Sequence, residues 1–189
     1  MKMPVTPQKL ETYLDTHLEC DCGHEHYASL KAVKVGQGAL EQLPQLLNEL
    51  GFKSLYLIAD SITNKIAGER TMEILNAAGI KATIRVLTHA AFDEATVGEL
   101  LIHKPADCDV CVAVGTGSIN DMTRFFSFRC GLPFITVATA APMDGFASSG
   151  AAMIFAGMKV TFTTHAPDLI LGDTDILCTA PADMIAAGF

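Results

Sequence analysis

Short apolar runs that alternate with helical stretches constrain this chain more than any other feature of its sequence. Residues 32–35 lead through Gly36-Gln37-Gly38 into residues 39–50, whose leucines at 40, 43, 46, 47 and 50 recur at helical spacing. Pro44 lies inside that stretch, where it is expected to kink the helix, and Gly51 closes it. Residues 54–59 read as a buried strand ended by Asp60 and Ser61, and the helix after them runs to about Ala78 before Gly79. Residues 82–87, 109–115 and 133–139 read as further strands. Between them, Asp93 opens a helix that stops before Pro105, and a second helix covers residues 117–128. This order predicts βαβ units and an α/β fold: a Rossmann-like, open, mostly parallel sheet with helices on both faces. Ligands of such sheets bind beyond the carboxyl ends of the strands, so the loops after Ala59, Val114 and Val137 are where a site is expected.

The pattern changes after Thr139. Residues 150–167 read as a β-hairpin with Ala156-Gly157 near its turn, and Leu169–Asp173 as one more short strand. A helix is expected to begin with Thr179 as N-cap and Pro181 in its first turn. The expected organisation is an amino-terminal segment, 1–30, then an α/β domain, 31–180, then the start of a truncated helical domain, 181–189. Half of the residues are hydrophobic and 18% are charged, which excludes wholesale disorder. Asp plus Glu number 21 against 13 Lys plus Arg, and no basic stripe is present, which argues against a nucleic-acid binder. The longest apolar stretch, 150–158, is too short to cross a bilayer, and the polar amino terminus has no signal core. A soluble, cytoplasmic protein without membrane insertion is expected.

Cys108 and Cys111 have C-x-x-C spacing, but they stand in DCDVCVAVG, a strand on which residues three apart point to opposite faces. They are expected to be reduced, mostly buried thiols, as are Cys130 and Cys178. Cys20, Cys22, His24 and His26 alternate in CDCGHEH, with His17 nearby. On an extended chain all four would project to one side, and the donor types suit zinc or copper. The spacing is not the usual C-x₂₋₄-C with a later histidine pair, and a solvated or domain-packing segment is the alternative.

The stretch VAVGTGSIND, residues 112–121, is the most informative. Its glycines permit a sharp turn and close approach, and the start of the following helix favours a phosphate. It is not the G-x-G-x-x-G dinucleotide fingerprint. Asp60 ends a neighbouring strand at the same edge, where it is placed either to hold ribose hydroxyls or to cap its own helix. Asp121 stands in the first turn, either to complement the helix dipole or to contact a ribose or a nicotinamide amide. The second loop, 137–150, carries hydroxyls at Thr139, Ser148 and Ser149 and one carboxylate, Asp144, which suits either substrate hydroxyls or an Asx-type turn.

GTGSINDMTRF and PFITVATAAPMDGFASSGA, with YLIAD upstream, together resemble the glycerol-1-phosphate dehydrogenase family. That family belongs to the iron-alcohol-dehydrogenase and dehydroquinate-synthase-like superfamily. The resemblance runs from roughly residue 20 to the end, and CDCGHEH resembles the bacterial branch. It implies that NAD or NADP is held by Gly117, Ser118, Ile119, Asn120 and Asp121. Thr139, Ala140, Ala141 and Pro142, with Ser148, would hold it from the other side. Asp60 would contact the adenosine ribose, which suits a free 2′-hydroxyl and hence NAD, and Asp144 would bind the polyol. The implied reaction is reversible hydride transfer between NAD(P)H and dihydroxyacetone phosphate, a small polyol-phosphate chemistry, in a homo-oligomer.

The resemblance also implies a divalent metal, zinc or nickel, held by one Asp and two His and acting as a Lewis acid. Its first ligand would follow the segment matching 186–189, so the metal is expected only in a longer protein and no catalytic or metal residue is expected here. Nothing in the motifs makes His165 or Asp173 a substitute ligand. A dehydroquinate-synthase-like lyase would follow the Asp144 position with Ser-Ser-x-Gly-Gly-Lys; DGFASSGAAM has no lysine near, which argues against it. A stand-alone, non-catalytic nucleotide- or metal-binding module is the remaining alternative.

Overall fold

The computed structural model of the protein describes residues 10–18, 21–88, 91–143 and 145–187. A small antiparallel hairpin, β1 (Thr16–Leu18) and β2 (His26–Ala28), precedes the main sheet. Strand β3 (Ala32–Gly36) then leads to a single 3₁₀ turn, Ala39–Gln42, and to α1 (Leu43–Leu50). Pro44 therefore causes no kink: it sits in the first turn of α1, where its missing N–H has no helical partner to lose. β4 (Ser54–Asp60) is followed by α2 (Ser61–Thr63), a π-helical segment Asn64–Gly68, and α3 (Glu69–Ala77). β5 (Lys81–Leu87), α4 (Glu94–His103), β6 (Val110–Gly115), α5 (Gly117–Cys130) and β7 (Phe134–Ala138) complete the alternation. A hairpin of β8 (Gly150–Phe155) and β9 (Met158–Thr163) comes next, then β10 (Leu169–Asp173), α6 (Thr174–Leu177) and α7 (Ala182–Ala187). The expected helix at Thr179 is corrected here. Thr179 Oγ1 donates back to the Ile176 carbonyl at 2.7 Å, finishing α6, and α7 starts only after Pro181.

Six strands form one sheet in the order β3-β10-β7-β6-β4-β5, and every pairing is parallel. The α/β reading and the hairpin near the carboxyl-terminal part are both borne out. Alternation along the strands divides the core between two faces. Leu55, Leu57, Val112, Val114, Val137 and Leu171 pack against Leu43 and Leu47 of α1 and Leu75 of α3. Tyr56, Ile58, Cys111, Ala113 and Phe134 face Leu100 of α4, Ile119, Met122 and Phe126 of α5, and Ala151 and Met153 of β8. Full burial of each such leucine or phenylalanine contributes about 1.5–3 kcal/mol.

The chain steps outward from β4 to β5, then returns past β4 to β6. The switch point therefore lies between β4 and β6, where an open α/β sheet leaves a crevice. Register places the carboxyl ends of the strands at one edge: Ile58 pairs with Ala113, Gly115 with Ala138, Gly172 with Ala138, and Asp173 with Gly36.

Candidate functional site

At that edge, helical segments start after β3, β4, β5, β6 and β10, and each start leaves backbone N–H groups in need of acceptors. Four starts are satisfied by a carboxylate of the chain itself. Asp60 Oδ1 accepts from Ile62 N at 2.8 Å and Thr63 N at 2.7 Å, while Thr63 Oγ1 accepts from Asp60 N at 3.0 Å. Asp93 accepts from Thr96 N at 2.9 Å. Buried Asp173 accepts from Asp175 N at 3.0 Å and, across the sheet edge, from Leu40 N at 2.8 Å and Gly38 N at 3.2 Å. One side chain thus caps two starts.

The start of α5 is different. Thr116 has the extended backbone of an N-cap, φ −138° and ψ 176°, but its side chain makes no capping bond. Its Oγ1 is buried with no hydrogen-bond partner. Gly115 is required by packing, because a Cβ there would lie 2.7 Å from Ile119 Cβ, so only glycine lets α5 begin this close to β6. Gly117 has open space around it but a φ of 44°, and conformation is what selects glycine there. The outcome is an uncapped helix start at the switch point, with the N–H groups and positive dipole end that an anion takes.

The second loop lies beside it. Thr139 N donates to Gly115 O at 3.4 Å; Thr139 and Ala140 are buried, Pro142 is half-buried and Ala141 is exposed. Ser148 Oγ accepts from Gly150 N at 2.9 Å, closing a local turn. Asp144 lies outside the described residues. Of the remaining residues singled out, Ser118 is exposed at the open start, whereas Ile119 and Asn120 are turned into the core. Asn120 Oδ1 accepts from Thr136 Oγ1 at 2.7 Å, and its Nδ2 is buried without a partner.

Sequence reasoning missed Arg124. Its side chain is 1% exposed, yet it ties four groups together. Nη1 donates to Asp121 Oδ1 at 2.8 Å and to Gly150 O at 2.5 Å; Nη2 donates to Gly145 O at 2.7 Å and Phe146 O at 3.1 Å. The guanidinium also stands 5.6 Å from the centroid of Phe134. Asp121 completes the clamp by accepting from Ala152 N at 3.3 Å. Burial pushes the Asp121 carboxyl above its ordinary value and the Arg124 guanidinium below its own, each partly offset by the other. The first turns of α5 are thereby fastened to the loop after β7. The available signal was an arginine three residues after Asp121 in a helix otherwise carrying Met122, Thr123, Phe125 and Phe126 toward the core.

Cys108 and Cys111 are buried, and burial raises the Cys111 thiol well above its ordinary value. Cys130 is half-buried, but Cys178 is exposed, so the expectation of burial does not extend to it. His165 Nε2 meets Ser127 Oγ at 2.9 Å and its ring stacks on Phe134. The amino-terminal segment is not one extended strand: residues 21–25 turn back between β1 and β2, and Cys20 lies outside the described residues. Among the described residues no three His, Cys, Asp or Glu side chains converge as a metal cluster, and no helix is long and apolar enough to cross a membrane.

The sequence profile of the iron-containing alcohol dehydrogenases matches residues 34–181. The chain is 39% identical over 177 residues to a glycerol-1-phosphate dehydrogenase [NAD(P)+] of Halalkalibacterium halodurans, covering 90% of this chain and 44% of that relative. It is 35% identical over 157 residues to the enzyme of the same description from Methanosarcina barkeri, covering 82% of this chain and 44% of that one. The chain thus spans less than half the length of these relatives. Among solved structures, glycerol dehydrogenase from Schizosaccharomyces pombe superposes with a TM-score of 0.75 at 22% identity, over 86% of this chain and 42% of that one. An alcohol dehydrogenase from Oenococcus oeni gives 0.77 at 16% identity, over 84% and 48%. At these identities the structural likeness shows the fold.

Proposed function

The chain belongs to the iron-containing alcohol dehydrogenase family, and on that premise we propose that it is the dinucleotide-binding part of a metal-dependent glycerol-1-phosphate dehydrogenase. The reaction of the longer protein would be reversible hydride transfer between NAD(P)H and dihydroxyacetone phosphate in a cytoplasmic homo-oligomer. The named relatives support that substrate class. The observation that carries the nucleotide assignment is the uncapped start of α5 at the switch point, beside helix starts that carboxylates cap.

The residues present fit a dinucleotide. The pyrophosphate would accept from the first N–H groups of α5, beginning at Gly117 and Ser118, and the buried Thr116 hydroxyl stands next to them without a partner. Ile119 and Asn120 would contribute through the backbone, since their side chains face the core. Residues 139–142 would line the opposite wall, with Ser148 further along the same loop. Asp60 caps α2 with Oδ1 alone, and Oδ2 is available to a ribose diol. A carboxylate there favours a free 2′-hydroxyl, hence NAD over NADP. Asp121, held by Arg124, would orient the nucleotide loop, and Asp144 would take the polyol hydroxyls. The bound dinucleotide supplies the hydride; this chain's residues bind and orient it. The metal that the family resemblance implies is assigned no ligand among the described residues, and no step is routed through it.

The test is Ser118→Asp, at an exposed position in the first turn of α5. An acidic residue there stabilises the helix start by about 0.3–1 kcal/mol while opposing a phosphate. Calorimetric titration should show NADH binding to the parent chain, preferred over NADPH, and about tenfold weaker or undetectable binding to a variant that melts no lower. Equal NADH affinity in both chains would remove the pyrophosphate from this helix start.

A further inference from the structure

The amino-terminal hairpin carries a side-chain cluster that the proposed nucleotide site does not use. β1 and β2 pair with His17 opposite Tyr27 and Leu18 opposite His26. Gly23, at φ 79°, helps to reverse the chain between them. The turn brings Cys22 Sγ within 2.9 Å of His26 Nε2, with both residues exposed. The other described imidazole of the hairpin strands is committed elsewhere: His17 Nδ1 pairs with Glu25 at 2.7 Å and its ring stacks on Tyr27. The hairpin is also tied to the body of the protein. Asp15 N donates to Leu30 O at 3.0 Å, and the Tyr27 hydroxyl donates to Asp15. It joins β3 at the amino end of that strand, whereas the nucleotide loops lie at the carboxyl ends.

We propose that Cys22 and His26 are the nucleus of a second metal site, on this hairpin, that takes zinc or a similarly thiophilic divalent ion. Thiolate and imidazole are the donor pair that zinc favours, at about 2.3 Å and 2.0–2.1 Å. A tetrahedral angle between those bonds sets sulfur and nitrogen roughly 3.5 Å apart. The observed 2.9 Å must therefore open by about 0.6 Å, which two exposed side chains on a turn do by rotation about χ1. On binding, the Cys22 S–H bond breaks, a sulfur–metal bond forms and the proton leaves to solvent, with no change of oxidation state. The described residues supply these two donors, and water completes the coordination. The site does not depend on the nucleotide reading.

The experiment is a cobalt(II) titration of the whole 189-residue chain, stripped of metal and kept reduced, followed by zinc competition. We expect about one equivalent to bind with a sulfur-to-cobalt charge-transfer band that zinc displaces. Cys22→Ser should abolish the band, and Cys22→Ser and His26→Gln should each weaken zinc binding about tenfold or more. NADH affinity should be unchanged in both variants, and Cys130→Ser and Cys178→Ser should leave the band intact. Both altered positions are exposed, so circular dichroism should show parental folding. Absence of the band in the parent chain, or its persistence in Cys22→Ser, would overturn the site.

Discussion

Two helix starts stand side by side at the switch point, one after β4 and one after β6, and they solve the same problem in opposite ways. Asp60 and Thr116 occupy equivalent N-cap positions in extended conformation, at φ −98°, ψ 177° and φ −138°, ψ 176°. The residue before each is Ala59 in one case and Gly115 in the other. After β4 the chain provides its own anion, so the start is a closed structural joint. After β6 it provides none, and the glycine draws the helix so close that a Cβ would collide with Ile119. A helix start left without a carboxylate, beside four that have one, leaves its N–H groups and dipole unopposed, and the proposed nucleotide site rests on that contrast.

The largest expected effect comes from the clamp that holds the open start to the second loop. Arg124→Met should destabilise the chain by about 3–5 kcal/mol, since it strands the partly buried Asp121 carboxylate and the Gly145 and Gly150 carbonyls. Urea unfolding measures it. A loss below about 1 kcal/mol, the range of an exposed pair, would mean that the loop does not rely on this residue.

Next, Gly115→Ala should cost about 1–3 kcal/mol through overpacking against Ile119. The converse, Ala59→Gly at the capped start, should cost about 1–2 kcal/mol, because it frees the backbone and removes a fully buried methyl. No loss in Gly115→Ala would remove the packing requirement at the open start. Removing the cap itself, by Asp60→Ala, should lower stability by about 0.5–2 kcal/mol, because Ile62 N and Thr63 N lose their acceptor. NADH affinity should fall with it while NADPH affinity changes less. Thermal melts and calorimetry on the same variant separate the two roles.

The sheet was legible because its strands carry their own signal. Residues 54–59 and 109–115 are nearly unbroken apolar runs, as burial on both faces demands, and glycine or aspartate marks where they stop. Pro44 was misread because one proline suits both a kink and a first turn, and the choice depended on the 3₁₀ turn before it. Arg124 was hidden for a different reason. Its partners Gly145, Phe146 and Gly150 are backbone carbonyls more than 20 positions away, and a carbonyl has no letter in the sequence. Asp173 is similar, since its bonds to Gly38 and Leu40 exist only because β10 was placed beside β3. Cys22 and His26 were noticed as donors, but an extended chain predicted one row of four, and a turn brought two of them together.

The smallest predicted effect is a difference of sign between a capped and an open start. Asp93 caps α4, and its carboxyl is held below the ordinary 3.8 chiefly by the Thr96 backbone N–H and then by the Thr96 hydroxyl. Its folded value is depressed, so its contribution is complete above 3.8 and is lost as pH falls from there through the folded value. Asp121, in the first turns of α5, is raised by burial, against the pull of Ala152 N–H and Arg124. The folded protein then holds the proton more tightly than the unfolded chain, and stability declines as pH rises from 3.8 through the raised value. Asp93→Asn keeps a side-chain acceptor for the cap but removes the titration. Urea unfolding across acidic pH should show a shallower loss toward low pH in Asp93→Asn. It should show a shallower loss toward higher pH in Asp121→Asn, whatever that variant's overall stability. The Asp93 change is modest because that side chain meets solvent, which screens it. Slopes of the same sign in both variants would mean that the two helix starts share one electrostatic design.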